Sequence, residues 1–189
     1  MNRKIAPQQR GDCLTPTDLN LIRKPLDFIA EDHLREREIC ATLDRIAEAS
    51  VPERGDLEIV LTFLDGEFAV HSADEQDGLF PLMLARCAPE DEIDKVILRL
   101  QAAHRHASLC MPKILALLRD LLVSAAAPDA DARALLREFA ASERQHLIVE
   151  NAIILPIARA RLTEEDLMAL TQGMQRRRGL DQPNGGASR

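Results

Sequence analysis

Four histidines and two glutamates stand in an order that could do metal chemistry: His33, His71-x-x-x-Glu75, His104 and His146-x-x-x-Glu150. Imidazole nitrogens and carboxylate oxygens suit iron and manganese and tolerate zinc. Residues four apart on an α-helix stack on one face, so each His-x-x-x-Glu pair presents a nitrogen beside a carboxylate. Four helices turning such faces inward would build a cage for two transition-metal ions. Taken singly, His104 reads as a core histidine and His71–Glu75 as a surface pair. Taken together, six such residues on interior faces at one height read as a metal site, because buried carboxylates without a cation carry a large desolvation cost.

The elements that must position these residues read as long amphipathic helices. The first runs roughly from Pro25 to Ala49, with apolar stripe Leu26, Ile29, Cys40, Leu43 and Ala47, and with His33 and Glu36 filling the gap in it. The second opens with Asp56 as N-cap and carries Val60, Leu64, Phe68, His71, Glu75 and Leu79. Pro81 should break or kink it before it resumes to about Cys87. The third follows an acidic first turn at Glu90, Asp91 and Glu92, and His104 is the polar member of its stripe Ile93, Ile97, Leu100, Ala107, Met111, Ile114, Leu118 and Leu121. Pro112 is expected to bend it. The fourth starts at Asp129 or Asp131 and carries Leu135, Phe139, His146, Glu150, Ile153 and Ile157, with Glu143 joining the polar patch. Thr163-x-x-Asp166 resembles a capping box and opens a short fifth helix to about Arg177.

Short loops between long helices force antiparallel neighbours. Each histidine then lies about 14–19 residues from its helix end, so the heights differ by roughly 1.5–4.5 Å at the α-helical rise. The expected fold is all-α: an up-down-up-down four-helix bundle over residues 24–178 with a short fifth C-terminal helix, an N-terminal arm over 1–23 and a disordered tail over 179–189.

Composition narrows the function. A net charge of −7 argues against nucleic acid or an anionic membrane as partner. No run of about 18 apolar residues occurs and Met1–Gln9 lacks a signal-peptide core, so a cytoplasmic protein is expected. Cys13, Cys40, Cys87 and Cys110 form no C-x-x-C pair and read as reduced thiols. The chain has no phosphate-binding glycine loop and no Cys–His or Ser–His–Asp pairing. Having no tyrosine, it also has neither a tyrosyl radical nor a tyrosinate ligand to offer.

The stretches DFIAEDHLREREIC, FLDGEFAVHSADEQDGLFPLM, LQAAHRH and ERQHLIVENAIILPIA resemble those of the hemerythrin-like, or HHE cation-binding, family across residues 24–178. That resemblance implies a four-helix bundle holding a non-haem di-iron centre with an oxo or hydroxo bridge; manganese or zinc is the alternative metal. It also implies that His33, His71, His104 and His146 are terminal ligands and that Glu75 and Glu150 bridge the ions. The oxygen carriers of the family have a His-x-x-x-His pair on the third helix, where this chain has Ser108 four residues after His104. His106 points to another face and cannot replace it. Open iron positions are therefore expected, with Glu36, Glu67, Asp74 or Glu143 as candidate extra ligands and Glu67 and Glu143 favoured among them. The expected function is binding of, or reaction with, O2, hydrogen peroxide or nitric oxide, which leaves a di-iron peroxidase or a nitric oxide- or oxygen-reactive oxidoreductase open. A regulatory module without turnover, responding to iron or oxygen, is the alternative. The sequence names no protein partner.

Overall fold

A computed structural model describes residues 14–180, and among these the secondary structure is helical, without strands. Helix α1 spans Pro25–Glu48. The second rod is built end to end from α2 (Arg54–Thr62), α3 (Phe68–Ala73) and α4 (Phe80–Arg86). The π-helical turns Phe63–Glu67 and Asp74–Leu79 join these pieces. Helix α5 spans Ile93–Ser124. In the fourth rod, the π turn Glu150–Ile154 joins α6 (Ala130–Val149) to α7 (Leu155–Arg161). Helix α8 (Glu164–Arg177) packs across one end.

Contacts between successive rods join late residues of one to early residues of the next. Arg45 meets Asp56 at 3.2 Å and Arg35 meets Glu67 further along. Arg119 of α5 reaches Asp65 at 2.8 Å, while Phe80 stacks on His104 with centroids 5.9 Å apart. The fourth rod returns to α1, where Arg133 donates to the carbonyls of Ala47 and Ala49 and Arg159 pairs with Asp27 at 2.8 Å. Each rod thus runs opposite to its neighbours.

Apolar side chains fill the bundle at both ends. One cluster contains Leu43, Leu57, Val60, Leu118 and Leu136; the other contains Ile29, Leu79, Met83, Ile97, Ile154 and Met174. Each such side chain contributes roughly 1.5–3 kcal/mol by leaving water. Between the clusters lies a layer of buried histidines and carboxylates.

Several local expectations change. Asp56 lies inside α2, whose N-cap is Glu53, and its carboxylate pairs with Arg45. The acidic turn before α5 is a 3-10 turn at Pro89–Asp91, with Glu92 left-handed at φ 48°. Helix α5 includes Pro112, which the sequence places within the third helix. Asp129, rather than Asp131, caps α6 by accepting the Ala132 N–H at 2.8 Å. On the fourth rod Leu136, Ile154 and Ala158 are buried, one residue later than the expected Leu135, Ile153 and Ile157. The slip at Ile154 and Ala158 follows from the π turn, which takes up an extra residue and rotates everything after it.

The cause of two of the π turns is legible in a longer repeat. Both His-x-x-x-Glu pairs continue as His-x-x-x-Glu-x5-Pro, ending at Pro81 and Pro156. Proline has no N–H for the i−4 carbonyl. The carbonyls of Asp77 and Ala152 lose their usual donor, and both residues lie inside the widened turns.

Thr163 and Asp166 cap α8 reciprocally as expected, and Asp166 also receives Arg86 at 2.8 Å. Thr171 donates to the Ile22 carbonyl at 3.2 Å, fastening α8 to the turn Leu19–Arg23 ahead of α1. Arg35 Nε likewise donates to the Leu14 carbonyl. The rest of the expected arm, residues 1–13, and the tail from 181 onward lie outside the described residues. Against the second rod, α8 rests on Gly78, where an added Cβ would stand 2.7 Å from Leu170 Cδ1 and 3.1 Å from Arg177 Nη2. Gly78→Ala is therefore expected to cost about 1–3 kcal/mol in urea unfolding. Gly55→Ala, where nothing lies within 4 Å, should be neutral or stabilise by up to about 1 kcal/mol. Equal effects at the two sites would refute the close packing of α8.

Candidate metal centre

The bundle brings all six sequence-derived residues into one place, and each is at most 5% exposed. They form two sets whose ligand atoms lie within 4.8 Å of one another: His33, His71 and Glu75, and His104, His146 and Glu150. Each set comes from two consecutive rods. The histidine rings meet edge to face in both, with centroids 5.2 Å apart for His33–His71 and 5.1 Å for His104–His146.

Both glutamates span the two sets. Glu75 lies 3.2 Å from His33 Nε2, 3.7 Å from His71 Nε2 and 3.4 Å from His104 Nε2. Glu150 lies 3.3 Å from His146 Nε2, 3.4 Å from His33 Nε2 and 3.5 Å from His104 Nε2. Helical spacing alone accounts for the His71–Glu75 and His146–Glu150 contacts; the others need the whole bundle.

The outer edges of three imidazoles are held. Asn151 anchors its own amide by donating to the Leu147 carbonyl at 2.8 Å, which leaves Oδ1 to accept from His33 Nδ1 at 3.2 Å. Asp32 lies 3.4 Å from His71 Nδ1, and Glu143 lies 3.1 Å from His146 Nδ1. Partners on the far nitrogen orient the ring and raise its basicity. They point Nε2 of each ring at the carboxylates. For His33 this sets a nitrogen lone pair against carboxylate oxygens, an arrangement that requires a proton or a metal ion between them.

Of the candidate extra ligands, Glu36 faces the centre, 3.7 Å from His71 Nε2 and 4.0 Å from His146 Nε2. Glu67, favoured from sequence, is instead the surface partner of Arg35. Lying one turn from His71 did not suffice, because residue 67 closes a π turn and its side chain is drawn outward by the guanidinium. Glu143 serves the outer edge of His146. Asp74 is fully buried and held by Arg177 at 2.6 Å and Arg178 at 2.7 Å, both at the end of α8. Ser108 is exposed and its hydroxyl donates to the His104 carbonyl. His106 is exposed, as expected.

The electrostatics fit a cation. Burial lowers the proton affinity of His71, but Glu75, Asp32 and Glu36 override it and raise the pKa to about 10. Burial is likewise outweighed at His146, where Glu150, Glu143 and Glu36 raise it to about 12. Glu150 is held well below the usual carboxylate range, against burial, by His146, His104 and His33. Burial pushes Glu36 up to about 8. Both ring nitrogens of His71, His104 and His146, Oε2 of Glu75 and Glu143 and both oxygens of Glu36 and Glu150 are buried without a hydrogen bond of good geometry, so Asp32 and Glu143 meet their imidazoles at ion-pair distance only. Orphaned buried polar atoms of this kind are costly, and a cation would satisfy those that face the centre together. Burial also holds Cys40 as a neutral thiol, so it does not compete as a ligand.

Two clefts reach the edge of the centre. One of ≈ 340 Å³ is bounded by Phe28, Asp32, Phe63, His71 and Arg178. Another of ≈ 240 Å³ is bounded by Leu100, Ala103, His146, Val149 and Ile153. No helix among the described residues is long and apolar enough to cross a membrane.

The model of the hemerythrin HHE cation-binding domain matches residues 24–158. That span contains every residue of both ligand sets and ends before α8. No curated protein and no solved structure is a significant match to the chain.

Raised above the ordinary histidine value of 6.5, the His71 and His146 pKa values favour the metal-free fold fully below about pH 6.5. That contribution is lost as pH rises through about 10 and then about 12. Metal needs the deprotonated rings, so loading at pH 7 is expected to release about two protons per chain from these imidazoles. Anaerobic titration with ferrous iron in unbuffered dye solution measures this, and uptake without proton release would contradict it. Metal affinity should rise with pH.

Proposed function

The chain belongs to the hemerythrin HHE cation-binding family, and on that premise we propose that it is a non-haem di-iron protein that binds or reacts with O2, hydrogen peroxide or nitric oxide. The observation that carries this reading is the pair of glutamates, Glu75 and Glu150, each within 3.7 Å of histidines from both sets. Carboxylates so placed suit two metal ions sharing bridges better than one ion held alone. In this proposal His33 and His71 hold one ion, His104 and His146 the other, and Glu75 and Glu150 link them. Manganese or zinc would fit the same donors. Iron bound there would supply redox chemistry toward a small ligand at positions the protein leaves free.

The chain's own part is to orient and to exclude. Asp32, Glu143 and Asn151 keep three imidazoles turned inward. Phe80 covers the His104 ring. The cleft beside His146, lined by Leu100, Ala103, Val149 and Ile153 together with Arg99, Ser142 and Gln145, is of a size for a small ligand. With no tyrosine in the chain, neither a phenolate ligand nor a tyrosyl radical enters the chemistry. The protein would be cytoplasmic and would act on the small ligand without nucleic acid or membrane.

A second reading, a regulatory module without turnover, is favoured by one observation. Asp74 adjoins Glu75 and is gripped by Arg177 and Arg178, beyond the matched span, so a change at the centre would be felt at α8.

Aerobic purification followed by metal analysis and absorption spectroscopy tests the proposal. About two irons per chain are expected, with near-ultraviolet charge-transfer bands against a background low in protein absorbance, since the chain has no Trp or Tyr. His71→Ala and Glu150→Ala should each lose the bands and most of the metal. A chain that stays metal-free after anaerobic ferrous loading sinks the proposal. Steady consumption of peroxide or nitric oxide selects the enzyme. Stoichiometric binding with a large rise in melting temperature on metal loading selects the regulator.

A further inference from the structure

Glu36 has no role in either ligand set, yet it is as deeply placed as their members, 2% exposed. Among the described residues, only Glu36 and Glu150 have both carboxylate oxygens buried without a hydrogen-bond donor. No nearby guanidinium compensates it. Arg35, adjacent in sequence, is committed to Glu67, and Arg144 to Asp44 and the Cys40 carbonyl. Its two oxygens point apart, one toward His71 Nε2 and the other toward His146 Nε2. Those histidines belong to different sets.

Comparison of the two halves of the chain sharpens the point. Glu36 stands three residues after His33; the residue three after His104 is Ala107, also buried. Glu36 therefore has no acidic counterpart at the matching position of the second half, and its ligand atom groups with those of Glu143 and His146 within 4.8 Å.

We propose that Glu36 is a third metal-binding carboxylate, placed between the Nε2 atoms of His71 and His146. The proposal rests on the metal-centre reading and goes beyond its six ligands. It gives the centre three carboxylates and four imidazoles. The two faces of the centre are then chemically unequal. A desolvated carboxylate is retained in the core at this position because a cation balances it.

Glu36→Gln keeps the shape and removes the charge, and two readouts separate a ligand from a packing residue. Without metal, the variant should still fold and bury the same side-chain volume, so that an effect confined to the metal-loaded protein marks a ligand rather than a packing residue. With metal, it should bind at least one ferrous ion about 10-fold or more weaker, measured by anaerobic competition with a chromophoric chelator, and its Mössbauer spectrum should change. Glu58→Gln, at an exposed carboxylate paired with the exposed Arg54, should alter neither. Glu36→Asp retains the charge but draws it back by one methylene, so it should fold and show the same loss of affinity should Glu36→Gln fail to fold. Parental affinity and spectrum in the variants would overturn the role of Glu36. Failure of the parent itself to take up metal would overturn the centre as a whole, which is a different result.

Discussion

Charge balance in a layer that water does not reach is the constraint on which the rest of this structure depends. Four histidines and four glutamates lie inside the bundle, nearly inaccessible, between two apolar clusters. Those clusters supply the burial that makes the bundle stable, and they also strip solvent from the ionisable groups. Carboxylates enclosed in this way must be protonated, paired or coordinated. The structure answers in two directions. Asp32, Glu143 and Asn151 hold imidazole nitrogens on the outside, while Nε2 and the carboxylate oxygens converge on the inside. The inner groups have neighbours of complementary kind at ion-pair distance but few hydrogen bonds, as a set of metal donors should.

Much of the site was legible because helical periodicity is reliable over long amphipathic stretches. His33, His71, Glu75, His104, His146 and Glu150 could be assigned to interior faces by spacing and by matched heights, and the folded chain brings them together. What spacing could not give was the π turns. The repeat that announces two of them, a proline six residues after each glutamate, is present in the sequence, but a proline in a helix can also kink or end it. Misjudging that shifted the buried face after Glu150 by one residue, from Ile153 to Ile154. Glu67 and Glu36 were confused for a related reason. Both lie within a turn of a histidine, and only the position of Arg35 decides which carboxylate goes outward. The Asn151–His33 contact joins residues 118 apart in sequence, and no local pattern foretells it.

Helix α8 shows how a modest element bears on the centre from outside the matched domain. Its capping residues marked it in the sequence, but not its docking. Thr171, Leu170 and Arg177 bind it respectively to the turn before α1, to Gly78 and to Asp74. Two of these contacts fall on the π turn that carries Glu75. A buried aspartate beside a buried glutamate would add repulsion to the layer. The two arginines remove it, and in doing so they tie the end of the chain to the backbone that aims Glu75.

The two halves of the chain are alike: each supplies a lone histidine on one rod and a His-x-x-x-Glu-x5-Pro segment on the next. Neither half is self-sufficient. Glu75 reaches His104, and Glu150 reaches His33, so every complete environment borrows from the other hairpin. During synthesis His33, Glu36, His71 and Glu75 leave the ribosome before His104, His146 and Glu150. The second hairpin must dock before the lone pairs converge. In the proposed centre, capture of an ion would thereby be linked to completion of the chain, with Glu150 the last of the six residues to arrive.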